Sequence, residues 1–257
     1  MNVFERRLTE SLGPRMDRRW IVLPVSLLVA AACSGSATDR SSTPASSPAA
    51  ESTSTPAPST APGTRVIDVQ VLGGGEYPGY TVKAPTAWGA LALHFVIKSG
   101  SEVIGLSVWD VGEVPRDPCH WKGTLADPGP TVDDLVEALT AQRLRHATEP
   151  TDVMLDGYRG SYLEWSVPAD MVVTGDAEFD GCDIEPSSGL RDFVSWFGDG
   201  HGERYQQVAG QVDRLWILDV DGQRLVIDAT YSPDTTETDR AELTTIVESI
   251  RFNDHVE

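Results

Sequence analysis

Basic residues are few: 20 Lys and Arg stand against 39 Asp and Glu, a formal net charge of -19 over 257 residues. A surface this acidic repels phosphate, which excludes nucleic acid as a partner and argues against docking through a basic patch on anionic lipid. Histidine is also sparse. His94, His120, His146, His201 and His255 are scattered, and none forms the H-E-x-x-H pair that places two zinc ligands on one helix face. A G-x-S-x-G elbow is missing, since Gly160-Ser161-Tyr162 sits inside an alternating, strand-like run. Gly73-Gly74-Gly75-Glu76-Tyr77-Pro78 lacks the spacing of a phosphate loop or a dinucleotide fingerprint. No motif therefore assigns a catalytic residue, a cofactor or a metal, and enzyme chemistry would require a site assembled from residues distant in the chain. Long apolar runs are absent as well. Trp20 to Ala32 extends for about thirteen residues and contains Pro24, whereas a membrane-spanning helix needs about twenty. Three cysteines, Cys33, Cys119 and Cys182, are too few for a disulfide-dense scaffold or a four-thiolate zinc site.

What is present begins near the N-terminus. Arg18-Arg19 precede "WIVLPVSLLVAAA", and small residues close that run just before Cys33. A basic segment, a short apolar core and small residues at its end describe an export signal, placed here at residues 1–32. Met16 opens a compact signal of its own. Ala30-Ala31-Ala32-Cys33 resembles the lipobox of bacterial lipoproteins, although Leu or Val is commoner at the position of Ala30. The resemblance implies that Cys33 is the lipid attachment point and first mature residue, so that the chain's membrane partner is reached through a lipid anchor on the extracytoplasmic face. Residues 33–64 follow as a tether rich in Ser, Thr, Pro and Ala, without an aromatic residue. Such a composition cannot bury enough apolar surface to offset its ordering entropy, so disorder is expected, and it suits O-glycosylation. Residues 65–257 then form a single domain.

Within that domain strands outnumber helices. "RVIDVQVL" (Arg65–Leu72) and "YTVKAPTAW" (Tyr80–Trp88) are β-rich, and the runs either side of Ser99-Gly100-Ser101 read as a hairpin. Asp156-Gly157 and Asp221-Gly222 supply two-residue turns between alternating strands. The first helix covers "TVDDLVEALTAQRL", with Thr131 as cap and Leu135, Val136, Leu139 and Leu144 on one side. The second buries Leu243, Ile246, Val247 and Ile250, with Thr236 or Thr238 as cap.

Two stretches, "YTVKAPTAW" and the closing "YSPDTTETDRAELTTIVESIRF", are similar to the opening and closing of PsbP-like domains, which actinobacterial lipoproteins also carry. The resemblance implies an α+β class, with a largely antiparallel sheet sandwiched by helices and the last helix packed back on it. Between those stretches, "VPRDPCHWKGTLADPGP" and "VVTGDAEFDGCDIEPSSG" stand out as loop elaborations. A fold of this kind serves unrelated roles, so no activity transfers.

Candidate sites follow from the elaborations. Cys119 and Cys182 lie one in each, and an isolated pair in an exported protein is expected to form a disulfide; a metal site with His120 is the rival, but an adjacent Cys-His pair is poor ligand spacing. Trp121 and Trp196 lie in or near the same segments and are candidates to line a groove for a glycan or peptide. Asp199, His201 and Glu203 alternate in "FGDGHGERY", where a weak cation site competes with a solvated loop, and the loop is preferred. Asp176, Glu178, Asp180, Asp183 and Glu185 lack the spacing of a calcium loop and read as a solvated face. The functional expectation is a non-enzymatic, membrane-tethered binding domain for an envelope component or partner protein. Its alternatives are a carrier or sensor for a small or apolar ligand and, behind that, a hydrolase with a dispersed site.

Overall fold

A computed structural model describes residues 63–73, 77, 79–101, 103–175 and 177–253, all within one compact unit. The signal, Cys33 and nearly all of the tether lie outside the described residues.

Strand β5 (Gly105–Pro115) organises the main sheet. Its first half pairs antiparallel with β15 (Gln223–Tyr231) through Gly105–Asp110, and with β4 (Phe95–Lys98) on the other side. Its second half changes partners, pairing with β12 (Val194–Gly198) at Val111 and Glu113 and with β6 (Leu125–Ala126) at Val114 and Pro115. The sheet continues from β15 through β14 (Val212–Val220) to β9 (Tyr158–Ser166), which β8 (Thr151–Leu155) and the short β7 (His146–Ala147) flank. Strand β13 (His201–Tyr205) pairs with β12 beyond β5, and β3 (Trp88–Leu91) pairs with β4. A second sheet contains β1 (Thr64–Val69), β2 (Tyr80–Pro85) and β16 (Arg251–Phe252) in the order β1-β2-β16.

The two faces of the main sheet bury different cores, as strand alternation requires. Leu215 and Ile217 of β14 join Leu163, Trp165, Trp109 and Trp196 against Leu135 and Leu139 of helix α1 (Val132–Thr140). Leu218, Val220, Leu225, Ile227 and Ala229 face the other way, toward Leu243, Ile246 and Val247 of α2 (Glu237–Glu248) and toward β1 and β2. Helix α1 starts at a full capping box: the Thr131 hydroxyl accepts from the Asp134 amide, and the Asp134 carboxylate accepts from the Thr131 amide. Thr236, not Thr238, caps α2.

The expected sandwich of helices is corrected by these elements. The two helices of the described residues span 9 and 12 residues, and antiparallel strands dominate. Much of one face is covered by β1 and β2, and the segments expected as elaborations form short strands and turns, including the pair β10 (Val173–Thr174) and β11 (Glu178–Phe179). Pro115, Pro118, Pro128, Pro130 and Pro186 punctuate those segments, and proline interrupts helix hydrogen bonding. Helix α1 also stops short of its expected end. Leu144 turns left-handed at φ 55° and is 46% exposed, so it leaves the apolar stripe.

Candidate functional site

The two elaborations meet through a disulfide between Cys119 and Cys182, whose Cα atoms are 4.5 Å apart. Backbone bonds continue the junction: Asp183 donates to the Cys119 carbonyl at 2.8 Å, and Val194 to the Pro118 carbonyl at 2.8 Å. The Arg191 guanidinium donates to the Cys182 carbonyl at 2.9 Å. Beneath the bridge lies a small core of its own, made of Cys119, Val167, Phe179, Cys182 and Phe193, with the two phenylalanine rings 5.4 Å apart. A ladder of backbone contacts runs outward from it, from Val172 to Asp180, from Phe179 to Arg191 and from Arg191 to Ile184. Val172 and Ile184 are 59% and 42% exposed at its two sides. Asp170 and Asp180 face solvent nearby. Although burial opposes it, hydrogen bonds from Ser187 and Ser188 hold the Glu185 carboxyl below the usual range.

The two tryptophans expected to line a groove lie inside. Trp196 has no exposed surface; its ring sits 5.7 Å from Trp165 in a stack and 6.0 Å edge-on to Trp109. Strand β12 turns this side chain to the α1 face of the sheet, where the aromatic core needs it. Trp121 is nearly buried as well, packed on Phe197 at 5.5 Å with the Lys122 ammonium 5.3 Å from its ring. Asp199 and Gly200 form the turn of the β12–β13 hairpin, and His201–Tyr205 is strand instead of solvated loop. Among the described residues no three His, Cys, Asp or Glu side chains are placed to hold a metal ion. Asp199 does approach Asp110, whose carboxyl is raised by burial and by Asp199, against the Tyr77 hydroxyl bond and the Arg224 charge.

Sequence reasoning missed a buried charge cluster between the β12–β13 hairpin and the sheet. Arg204 of β13 donates to Asp228 of β15 through Nε and to Asp213 of β14 through Nη2 at 2.9 Å. Arg145 lies 3.7 Å from the second oxygen of Asp213, donates to the Ser195 hydroxyl, and stacks 4.1 Å from the Trp165 ring. The left-handed Leu144 turns the chain so that the next side chain points inward. Gln142 bridges the Pro115 and Ser195 carbonyls at 2.8 and 2.7 Å, and Gln206 donates to Ser195 at 2.6 Å. Two guanidinium groups thus face two carboxylates, a balance that makes burial of four ionisable groups tolerable. Burial still pulls Arg145 down to about 9, against the attraction of Asp213. It raises Asp228 to about 7, against Arg204, while Asp228 and Asp213 hold Arg204 above its ordinary value despite burial. A sequence signal existed for the acids alone: Asp213 alternates with the apolar Leu215 and Ile217 on one face of its strand, and Asp228 follows Val226 on one face of its own.

No protein-family profile and no curated protein matches the chain. Among solved structures, the chain is similar to the solution structure of cyanobacterial PsbP (CyanoP) from Synechocystis sp. PCC 6803, at 17% identity and a TM-score of 0.30, covering 68% of this chain and 86% of that one.

Proposed function

We propose that the chain is an exported membrane protein, held on the extracytoplasmic face by a lipid on Cys33, whose folded domain is a binding module. The surface that engages a partner protein or envelope component is the disulfide-stapled elaboration. One observation carries this reading: a cystine and its private core fix two elaborated segments as a rigid platform, and that platform turns Val172 and Ile184 outward instead of burying them. Rigid presentation lowers the ordering cost of binding, and apolar side chains held exposed on a fixed surface among polar groups are available for contact. A persistent cystine also suits an oxidising compartment outside the cytoplasm, where the "AAAC" motif directs the chain.

The test is fractionation combined with site-directed photo-cross-linking in cells. Wild-type chain is expected in the membrane pellet and Cys33→Ser in the soluble fraction. A photoreactive residue at position 172 or 184 is expected to give a discrete adduct, absent when the probe is moved to exposed Met154. Retention of Cys33→Ser on the membrane overturns the anchor, and equal labelling from all three positions overturns the platform as the binding surface.

A further inference from the structure

A strip of aromatic and charged side chains lies on the face of the main sheet opposite α1, where α2 packs. Alternation places it there: Leu215 and Ile217 point to the α1 core, so Arg214 and Trp216 point to the opposite face. Tyr162 of β9 pairs directly with Trp216 of β14, and their rings lie 4.9 Å apart at a tilt of 53°. The Arg214 guanidinium is 5.6 Å from the Trp216 ring and 5.9 Å from the Tyr231 ring, and donates to the Thr244 hydroxyl of α2 at 2.9 Å. Arg240, also on α2, lies 5.5 Å from the Tyr231 ring. The Tyr162 hydroxyl donates to Glu164 and so fixes that carboxylate at the end of the strip. Tyr162, Glu164, Trp216 and Tyr231 are partly exposed and Arg240 is exposed.

A single half-buried ring on a sheet is ordinary. Here three rings, a pinned carboxylate and a solvent-facing guanidinium share one rigid surface, and that combination has a chemical counterpart. Ring faces pack against the C–H faces of a pyranose, a carboxylate accepts from paired hydroxyls, and a guanidinium donates to them. Arg214 stiffens the strip without reaching solvent through Nε or Nη2, which its neighbours cover. The remaining charges, Glu164 and Arg240, balance, and a chain at -19 repels polyanions.

We propose that this strip binds an uncharged, hydroxyl-rich saccharide chain. The site is separate from the stapled platform and stands or falls without it. It is tested by affinity electrophoresis of the purified full chain in gels containing soluble glucan, mannan, galactan or arabinan, with polygalacturonate as the charged counterpart. Retardation by at least one neutral polysaccharide is expected, weakened about tenfold by Trp216→Ala and by Tyr162→Ala, as loss of a stacking anchor implies. Arg240→Ala, on an exposed helix position where folding is not at stake, is expected to weaken it about threefold through loss of one hydrogen-bonding group. No retardation in any neutral gel, retardation by polygalacturonate alone, or unchanged retardation of both the Tyr162→Ala and Arg240→Ala chains overturns the proposal. None of these outcomes alters the result expected from cross-linking at positions 172 and 184.

Discussion

Asp228 is fully buried beside Arg204, Asp213 and Arg145, and its carboxyl titrates at about 7. An unfolded chain releases that proton near 4. The folded state therefore holds a proton that the unfolded state has lost across this window. Its contribution to stability is complete below about pH 4 and is lost as pH rises through about 7. Asp110 shifts in the same direction. Asp239, Glu242, Asp134 and Glu185 are held below their ordinary range, so their contributions are lost only as pH falls through those lower values and do not cancel the effect above pH 5. The urea midpoint is expected to be higher at pH 5 than at pH 8, and Asp228→Asn to remove most of that difference. Equal midpoints at the two pH values in the unmodified chain would refute it. At this scale the sequence was legible only in part: a polar residue at a core-facing strand position is visible, but its partner is not. Arg145 enters from a turn whose direction depends on one left-handed residue, Leu144, and nothing in the residue type of leucine announces that conformation.

Among the elements, the hairpins and caps were the most legible, because their signals are local. Asp156-Gly157 and Asp221-Gly222 adopt φ values of 49° and 86°, and 53° and 84°, as two-residue turns between twisted strands require. The β9–β14 pairing depends on a less obvious residue. A Cβ at Gly160 would overlap the Ile217 carbonyl oxygen, so the two strands approach only because that side chain is missing. Gly160→Ala is expected to cost about 3 kcal/mol, the upper part of the range for overpacking a rigid interior, read as a lower urea midpoint with unchanged slope. A change below 0.5 kcal/mol would show that the strands can separate freely. The length of α1 was misread because Leu144 continues the apolar period past the point where the chain leaves the helix. Periodicity counts residue types and is blind to a change of backbone direction.

At the scale of the whole molecule, the disulfide closes a loop across 63 positions. Loop-entropy arguments assign about 4 kcal/mol to such a closure, and for a domain of this size that corresponds to a fall of about 10 °C in Tm for Cys119→Ser with Cys182→Ser. A fall of less than 2 °C in calorimetry would show that the private core holds the platform without the bridge. The sequence by itself determined the strand-rich character, the Asp-Gly turn positions, the Thr131 cap, the pairing expected of the only two cysteines in the domain, and the acidic charge. All of these follow from neighbouring residues or from simple counting. Only the tertiary structure decided that β1, β2 and two short helices, and not a layer of helices on each face, pack on the sheet. It also decided that Trp196 belongs to the core, that Trp216 and Tyr162 form a partly exposed pair, and that four ionisable groups from four separate segments meet in one buried cluster. Those outcomes depend on which face of each strand meets which neighbour, and that relation is set by long-range packing that no local pattern encodes.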